Sequence, residues 1–116
     1  MSDDFSPVIK LTICRGGSKF FGPGVADLLD LIGDKGSVKE ACRTMGLSYS
    51  KGRTILKRAE KMLGFPLVET RHGGQGGGAA ALTDEAVRLI QNYRKLAADV
   101  DQYAEDHFKE MFQNSF

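Results

Sequence analysis

Residues 36 to 64, GSVKEACRTMGLSYSKGRTILKRAEKMLG, constrain the fold more than any other stretch, because they spell helix, tight turn, helix and stop. Ser37 with Glu40 forms a capping box, in which each side chain answers an orphan backbone N–H at a helix start. Gly46 can take the left-handed conformation that a short interhelical turn requires. Ser48 offers a second N-cap, and Gly64 followed by Pro66 closes the second helix. The spacing therefore predicts a helix-turn-helix over 37–63, the unit that presents its second helix to the DNA major groove.

The second helix sorts into two faces at 3.6 residues per turn. Gly52, Ile55, Leu56, Ala59, Met62 and Leu63 make a core side, and Gly52 implies close approach of the first helix near Ala41 and Cys42. Ser50, Thr54, Lys57 and Lys61 lie opposite, with Arg53 flanking them and Glu60 at the margin. An outward face that is basic and polar suits a phosphate-bearing partner, whereas exposed charge alone is the default of any solvated helix.

After this helix, 67–71 (LVETR) and 79–82 (AAAL) read as short strands around HGGQGGG, a wing occupying 67–82. A phosphate-cradling nucleotide loop is the alternative for such glycines. The Lys-Ser/Thr pair and the GxGxxG spacing that it needs are both missing. Arg71 and His72 at the base of the loop, with Gly73, Gly74 and Gln75 beyond, are placed to meet a phosphate or a minor-groove edge. VIKLTIC (8–14) alternates and is β-branched, predicting a strand; RGGSKFFGPG turns the chain back, and VADLLDLI (25–32) follows as a helix. The predicted order is strand, three helices, two strands and a long helix. That makes the fold mainly α with a small β component, an α+β winged helix-turn-helix over 1–82 with a terminal helix over 83–116.

Thr83 is an N-cap, and Asp84 and Glu85 in the first turn complement the helix dipole. About thirty helical residues make a rod of roughly 45 Å, too long for a chain of 116 residues to cover. Ala86, Ile90, Tyr93, Ala97, Val100, Ala104 and Met111 recur at three- and four-residue steps along it, broken only by His107. A second copy of the chain is the expected cover, with Ile90, Tyr93, Ala97, Val100, Ala104 and Met111 in a homodimer interface.

Composition excludes more than it identifies. The content is 41% hydrophobic and 27% charged, ordinary for a globular domain, and the net charge is only +1. The charge is polarised, however. Lys51, Arg53, Lys57, Arg58, Lys61 and Arg71 meet only Glu60 and Glu69 in one stretch, whereas 99–110 is strongly acidic. No membrane-spanning run or signal-peptide core is present, so a cytoplasmic protein is expected. Cys14 and Cys42 lie far apart, His72 and His107 are isolated, and no cluster of acid, base and nucleophile occurs. The expectation is a protein that is not an enzyme and needs neither a metal nor another cofactor.

LTICRGGSKFFGPG, GSVKEACRTMGLSYSKG, PLVETRHGGQGGG and AALT occur in this order, and the trio GLSYSK, LVET and GGxGGG is specific. From about Ile9 to Tyr93 the chain resembles the N-terminal DNA-binding domain of the ModE family of molybdate-responsive transcriptional regulators. The helix-turn-helix is also similar to that of LysR-type regulators, whose wings lack the glycine tract. The resemblance implies a winged helix that dimerises through its long helix and reads double-stranded DNA at a palindromic operator. It puts Ser48, Tyr49, Ser50 and Lys51 at the start of the recognition helix and Arg71 to Gly78 in the wing. Gly52 and Arg53 stand where the family usually has Ala and Trp. The oxyanion-binding domains of full-length members have no counterpart here, so the expectation is constitutive DNA binding or a signal from a separate oxyanion-sensing protein. The alternative function is a winged-helix module that binds another protein through its acidic helix, without specific DNA contact.

Overall fold

The computed structural model describes residues 5–71 and 79–116. A glycine pair opens the first regular element. Gly16 and Gly17, at φ 57° and 81°, supply the two positive values that a tight hairpin turn needs, joining β1 (Ile13–Arg15) to β2 (Ser18–Phe21). The expected strand over 8–14 is thus confined to its end, and the segment read as a simple turn contains a strand of its own. Residues 5–12 have no ladder partner and run instead beside the terminal helix. There the Leu11 carbonyl accepts a hydrogen bond from the Tyr93 hydroxyl at 2.7 Å.

Pro23 at the first helical position starts α1 (Pro23–Lys35), and Gly36 ends it at φ 68°, its N–H on the Ile32 carbonyl. The helix is longer at both ends than the predicted 25–32. Its Ala26, Leu28, Leu29 and Ile32 are buried and form the centre of the core. α2 (Val38–Met45) starts at Ser37, whose Oγ accepts from the Glu40 N–H at 3.1 Å. The Glu40 carboxylate lies 3.8 Å from Arg43 instead of returning to Ser37, so only half of the capping box forms. Gly46, at φ 72°, turns the chain into α3 (Tyr49–Leu63).

The two helices meet at Gly52, where an added Cβ would overlap the Cys42 sulfur. The close approach read from Gly52 is therefore present. Beyond Gly64, β3 (Val68–Arg71) pairs antiparallel with β4 (Ala79–Leu82) from Val68 opposite Leu82 to Arg71 opposite Ala79. The Ala80 N–H donates to the Gly36 carbonyl at 2.8 Å, seating this hairpin on the end of α1.

Thr83 joins three segments. Its Oγ1 accepts from the Ala86 N–H and donates to the Pro66 carbonyl at 2.9 Å, and its own N–H donates to the Leu67 carbonyl at 3.0 Å. From it α4 (Asp84–Phe112) extends, and the molecule measures 63 × 29 × 22 Å. The radius of gyration is 17.7 Å, against about 13 Å for a compact chain of this length. Arg94 pins α4 to α1 through Asp30 at 2.8 Å and Asp27 at 2.9 Å, bonds that hold its guanidinium even more firmly protonated than usual.

Two of the six residues expected between copies need correction. Ile90 and Tyr93 are buried in the chain's own core, Tyr93 edge-on to Phe21 at 5.1 Å. Heptad-like spacing shows that a side chain will be covered, not by what, and the first turns of α4 find cover on the β1–β2 hairpin and α1. Ala97, Val100 and Ala104 are half-buried, and Met111 is 73% exposed. Phe5 stacks on Phe116 at 4.1 Å, and Phe116 stands 5.9 Å from Phe108, so the N-terminal segment follows α4 to its end.

Burial pushes the Cys42 thiol above its ordinary value of 9.0. Burial is also the main cause raising the Tyr93 phenol above 10.0, with Asp27 adding and Arg94 opposing. The unfolded chain thus releases both protons first. Stability from these groups is complete below pH 9 and is lost as pH rises through the folded values, by up to ~1.4 kcal/mol per pH unit for each group. Urea midpoints measured from pH 8 to 10.5 are expected to fall above pH 9; a flat profile would contradict this burial.

Candidate nucleic-acid interface

α3 carries the candidate interface, and its start is fixed by Ser48, whose Oγ accepts from the Lys51 N–H at 3.1 Å. A cap of this kind holds the first helical turn rigid and leaves its remaining N–H groups directed outward, where an anion is favoured. Tyr49, Ser50, Lys51, Arg53, Thr54, Lys57 and Lys61 are all exposed. Arg53 is held in place: it donates to the Tyr49 hydroxyl at 3.1 Å, with its guanidinium 5.7 Å from that ring's centroid. Most of its five N–H donors stay available. Thr54 donates to the Ser50 carbonyl at 3.0 Å, which leaves the hydroxyl lone pairs and the methyl group outward. Among the described residues, Lys51, Lys57 and Lys61 have no acidic partner.

Glu60 has a use that its sequence position hides. One carboxylate oxygen accepts from the Leu67 N–H at 2.7 Å and lies 3.4 Å from that of Val68, so α3 holds the first residues of the wing by their backbone. A groove of about 150 Å³ between α3 and β3 is lined by Arg53, Lys57, Glu60, Val68 and Thr70. Arg71 ends β3. His72, Gly73, Gly74 and Gln75, with the rest of the glycine tract to Gly78, lie outside the described residues. Arg58 and Arg15 were not singled out for contacts within the fold, yet both tie the β1–β2 hairpin to α3. Arg58 donates to the Lys19 carbonyl at 3.1 Å and Arg15 to the Met62 carbonyl at 2.6 Å. A backbone carbonyl leaves no trace in residue type, so no sequence signal could have found these bonds.

Among the described residues no group of three or more His, Cys, Asp or Glu could hold a metal ion, and no helix is long and apolar enough to cross a membrane. A capped helix pair at glycine-contact distance, a basic outward second helix and a strand pair beside it define a winged helix-turn-helix domain of the α+β class.

Solved structures agree on the fold. A crystal structure of the BenM DBD/catB site 1 DNA complex superposes with a TM-score of 0.54, covering 80% of this chain and 96% of that one at 17% identity. No protein-family model matches the chain, but individual relatives do. Molybdenum transport protein ModE of Herbaspirillum seropedicae is 41% identical over 69 residues, 60% of this chain and 26% of its own length. DNA-binding transcriptional dual regulator ModE of Escherichia coli (strain K12) is 35% identical over 98 residues, 84% of this chain and 37% of its own. Molybdenum-pterin-binding protein MopB of Rhodobacter capsulatus is 36% identical over 86 residues, 74% of this chain and 32% of its own. These likenesses fit a ModE N-terminal-like domain, and the chain spans about a third of the length of these relatives. The Escherichia coli relative bears the name of a transcriptional regulator, not of an enzyme.

Proposed function

We propose that the chain is a sequence-specific DNA-binding transcriptional regulator that reads duplex DNA through α3, with the wing beside it. The observation that carries this reading is the outward face of α3, where exposed cations without acidic partners stand on a helix fixed against α2 at Gly52. The DNA-binding and regulatory names of the ModE relatives support it. Lys51, Lys57 and Lys61 are assigned to phosphates, and Ser48 with the helix N-terminus to a further one. Ser50, Arg53 and Thr54 are assigned to base edges, Tyr49 to holding Arg53, and Arg71, His72, Gly73, Gly74 and Gln75 to the wing contact.

The protein is further proposed to act in the cytoplasm as a homodimer through α4 on an inverted repeat. Half-sites would lie about 34–36 Å or a multiple apart. Ala97, Val100, Ala104 and Met111 remain in this interface, joined by Leu96 and Tyr103, which are 50% and 67% exposed. Control by molybdate or another oxyanion would reach α4 from a sensing unit outside these residues, in the same chain or in a separate protein.

A gel-shift titration against salt tests the assignment. Lys57→Ala and Lys61→Ala are each expected to weaken binding to all duplexes alike and to lower the salt slope by about one unit. Replacing Ser50, Arg53 or Thr54 should instead change the bases selected from a random duplex pool, by about 1–3 kcal/mol for a good contact. If neither set of changes alters binding, α3 is not the reading helix, and the protein-binding alternative takes its place.

A further inference from the structure

α3 is braced on two sides, and the β1–β2 brace is not part of the helix-turn-helix or the wing. Arg53, Leu56, Lys57 and Glu60 of α3 face the wing side, where they line a groove with Val68 and Thr70. Ile55 and Arg58 face the hairpin, lining a cleft of about 400 Å³ with Lys10, Lys19 and Phe20, and the Met62 carbonyl bonds to Arg15 on the same side. At 100° per residue these two sets fall on opposite sides of the helix, with Ser50, Thr54 and Lys61 between them and Gly52 and Ala59 toward the core. The reading face therefore lies between two hairpins.

The hairpin side is cationic. Residues 5–21 contain Lys10, Arg15 and Lys19 and no acidic residue. Arg15 and Arg58 spend donors on the two carbonyls that fix the hairpin to α3, but Lys10 and Lys19 are exposed and make no ion pair among the described residues. Arg58 belongs to both surfaces: it lines the open face of α3 with Thr54 and Lys61, and the cleft with Lys10 and Lys19. The positive surface is thus continuous from the reading face onto the hairpin.

A helix in the major groove, about 12 Å wide, has a phosphate backbone along each edge. A wing accounts for one edge. We infer that the β1–β2 hairpin, with the segment that leads into it, is a second phosphate-binding flank, on which Lys10 and Lys19 engage the DNA backbone along the other edge. The partner is the phosphodiester chain itself, met without regard to base sequence. This rests on the DNA-reading function proposed above.

Lys19 suits a clean test, because the fold uses its backbone carbonyl and not its ammonium. Lys10→Ala, Lys19→Ala and the double variant are compared in the full chain with Lys57→Ala and with Lys95→Ala, a charge control on α4. The readouts are duplex affinity against salt and a thermal melt. Each hairpin substitution is expected to lower the salt slope by about one unit, and the double variant by about two. Where affinities converge near 1 M salt, this is a loss of roughly eightfold per contact at 0.1 M and roughly sixtyfold for the pair. Base preference and melting temperature should stay unchanged, and Lys95→Ala should leave the slope alone. Hairpin variants that keep the parent slope while Lys57→Ala loses a unit would overturn the second flank and leave DNA reading by α3 intact. A parent chain with no salt-dependent duplex binding would overturn both.

Discussion

Val100→Asp is expected to leave a folded winged helix that sediments as a monomer and binds an inverted-repeat operator 10²–10⁴-fold more weakly than the parent. Two linked half-site contacts gain that factor from effective concentration alone. Val100 lies six residues beyond Arg94, the last clamp of α4 on α1, and is half-buried between Ala97 and Ala104 on the seam. A carboxylate there would be desolvated without a partner whenever two seams met. Binding to a single half-site should hardly change, which separates lost assembly from lost folding. Sedimentation equilibrium of the parent at tens of micromolar is the decisive measurement: a monomer under those conditions removes both the dimer and the rationale for a palindrome.

Gly52→Ala is expected to destabilise the protein by about 2 kcal/mol, the usual scale of overpacking in a filled core. On a free helix the same change would gain about 1 kcal/mol. The methyl group would enter the space of the Cys42 sulfur, and both positions are buried. Adding Cys42→Ala should therefore return most of the loss and make the double variant more stable than Gly52→Ala alone. Urea unfolding of the four-member cycle measures the coupling, expected within about 0.5–3 kcal/mol for residues in contact. Strict additivity would mean that the helices are not in contact here.

The starts of α2, α3 and α4 and the stops of α2 and α3 were legible because their chemistry is local, whereas α1 outran its predicted 25–32 at both ends. Ser37, Ser48 and Thr83 each bond to an N–H three residues on, and Gly46 and Gly64 take positive φ within the same turn. Gly52 was legible because a residue without a side chain on a core-facing position implies a neighbour too close for one. What escaped depends on partners distant in sequence or on backbone atoms. β2 has only four residues and ends in adjacent buried phenylalanines, so it lacks the alternation that marks a strand. Glu60 looked like a stray charge beside Arg53, because nothing in residue type announces that it will receive the N–H of Leu67 across the Gly64–Pro66 turn. Ile90 and Tyr93 were correctly read as buried and wrongly matched to a second copy, since periodicity fixes a face but not its neighbour.

Thr83 and Arg94 divide α4 into a short arm seated on the core and a long free arm that projects from it. Arg94 marks the division, tied to α1 at Asp27 and Asp30. The short arm runs back to Thr83, which grips the Pro66 and Leu67 carbonyls at the root of the wing. At 1.5 Å per residue that arm is about 16 Å long, and the free arm to Phe112 about 27 Å. A partner that grips the tip therefore meets the molecule about 27 Å beyond the Arg94 clamp, while the seated arm, the root of the wing and α3 stay joined to one another through Thr83 and Glu60.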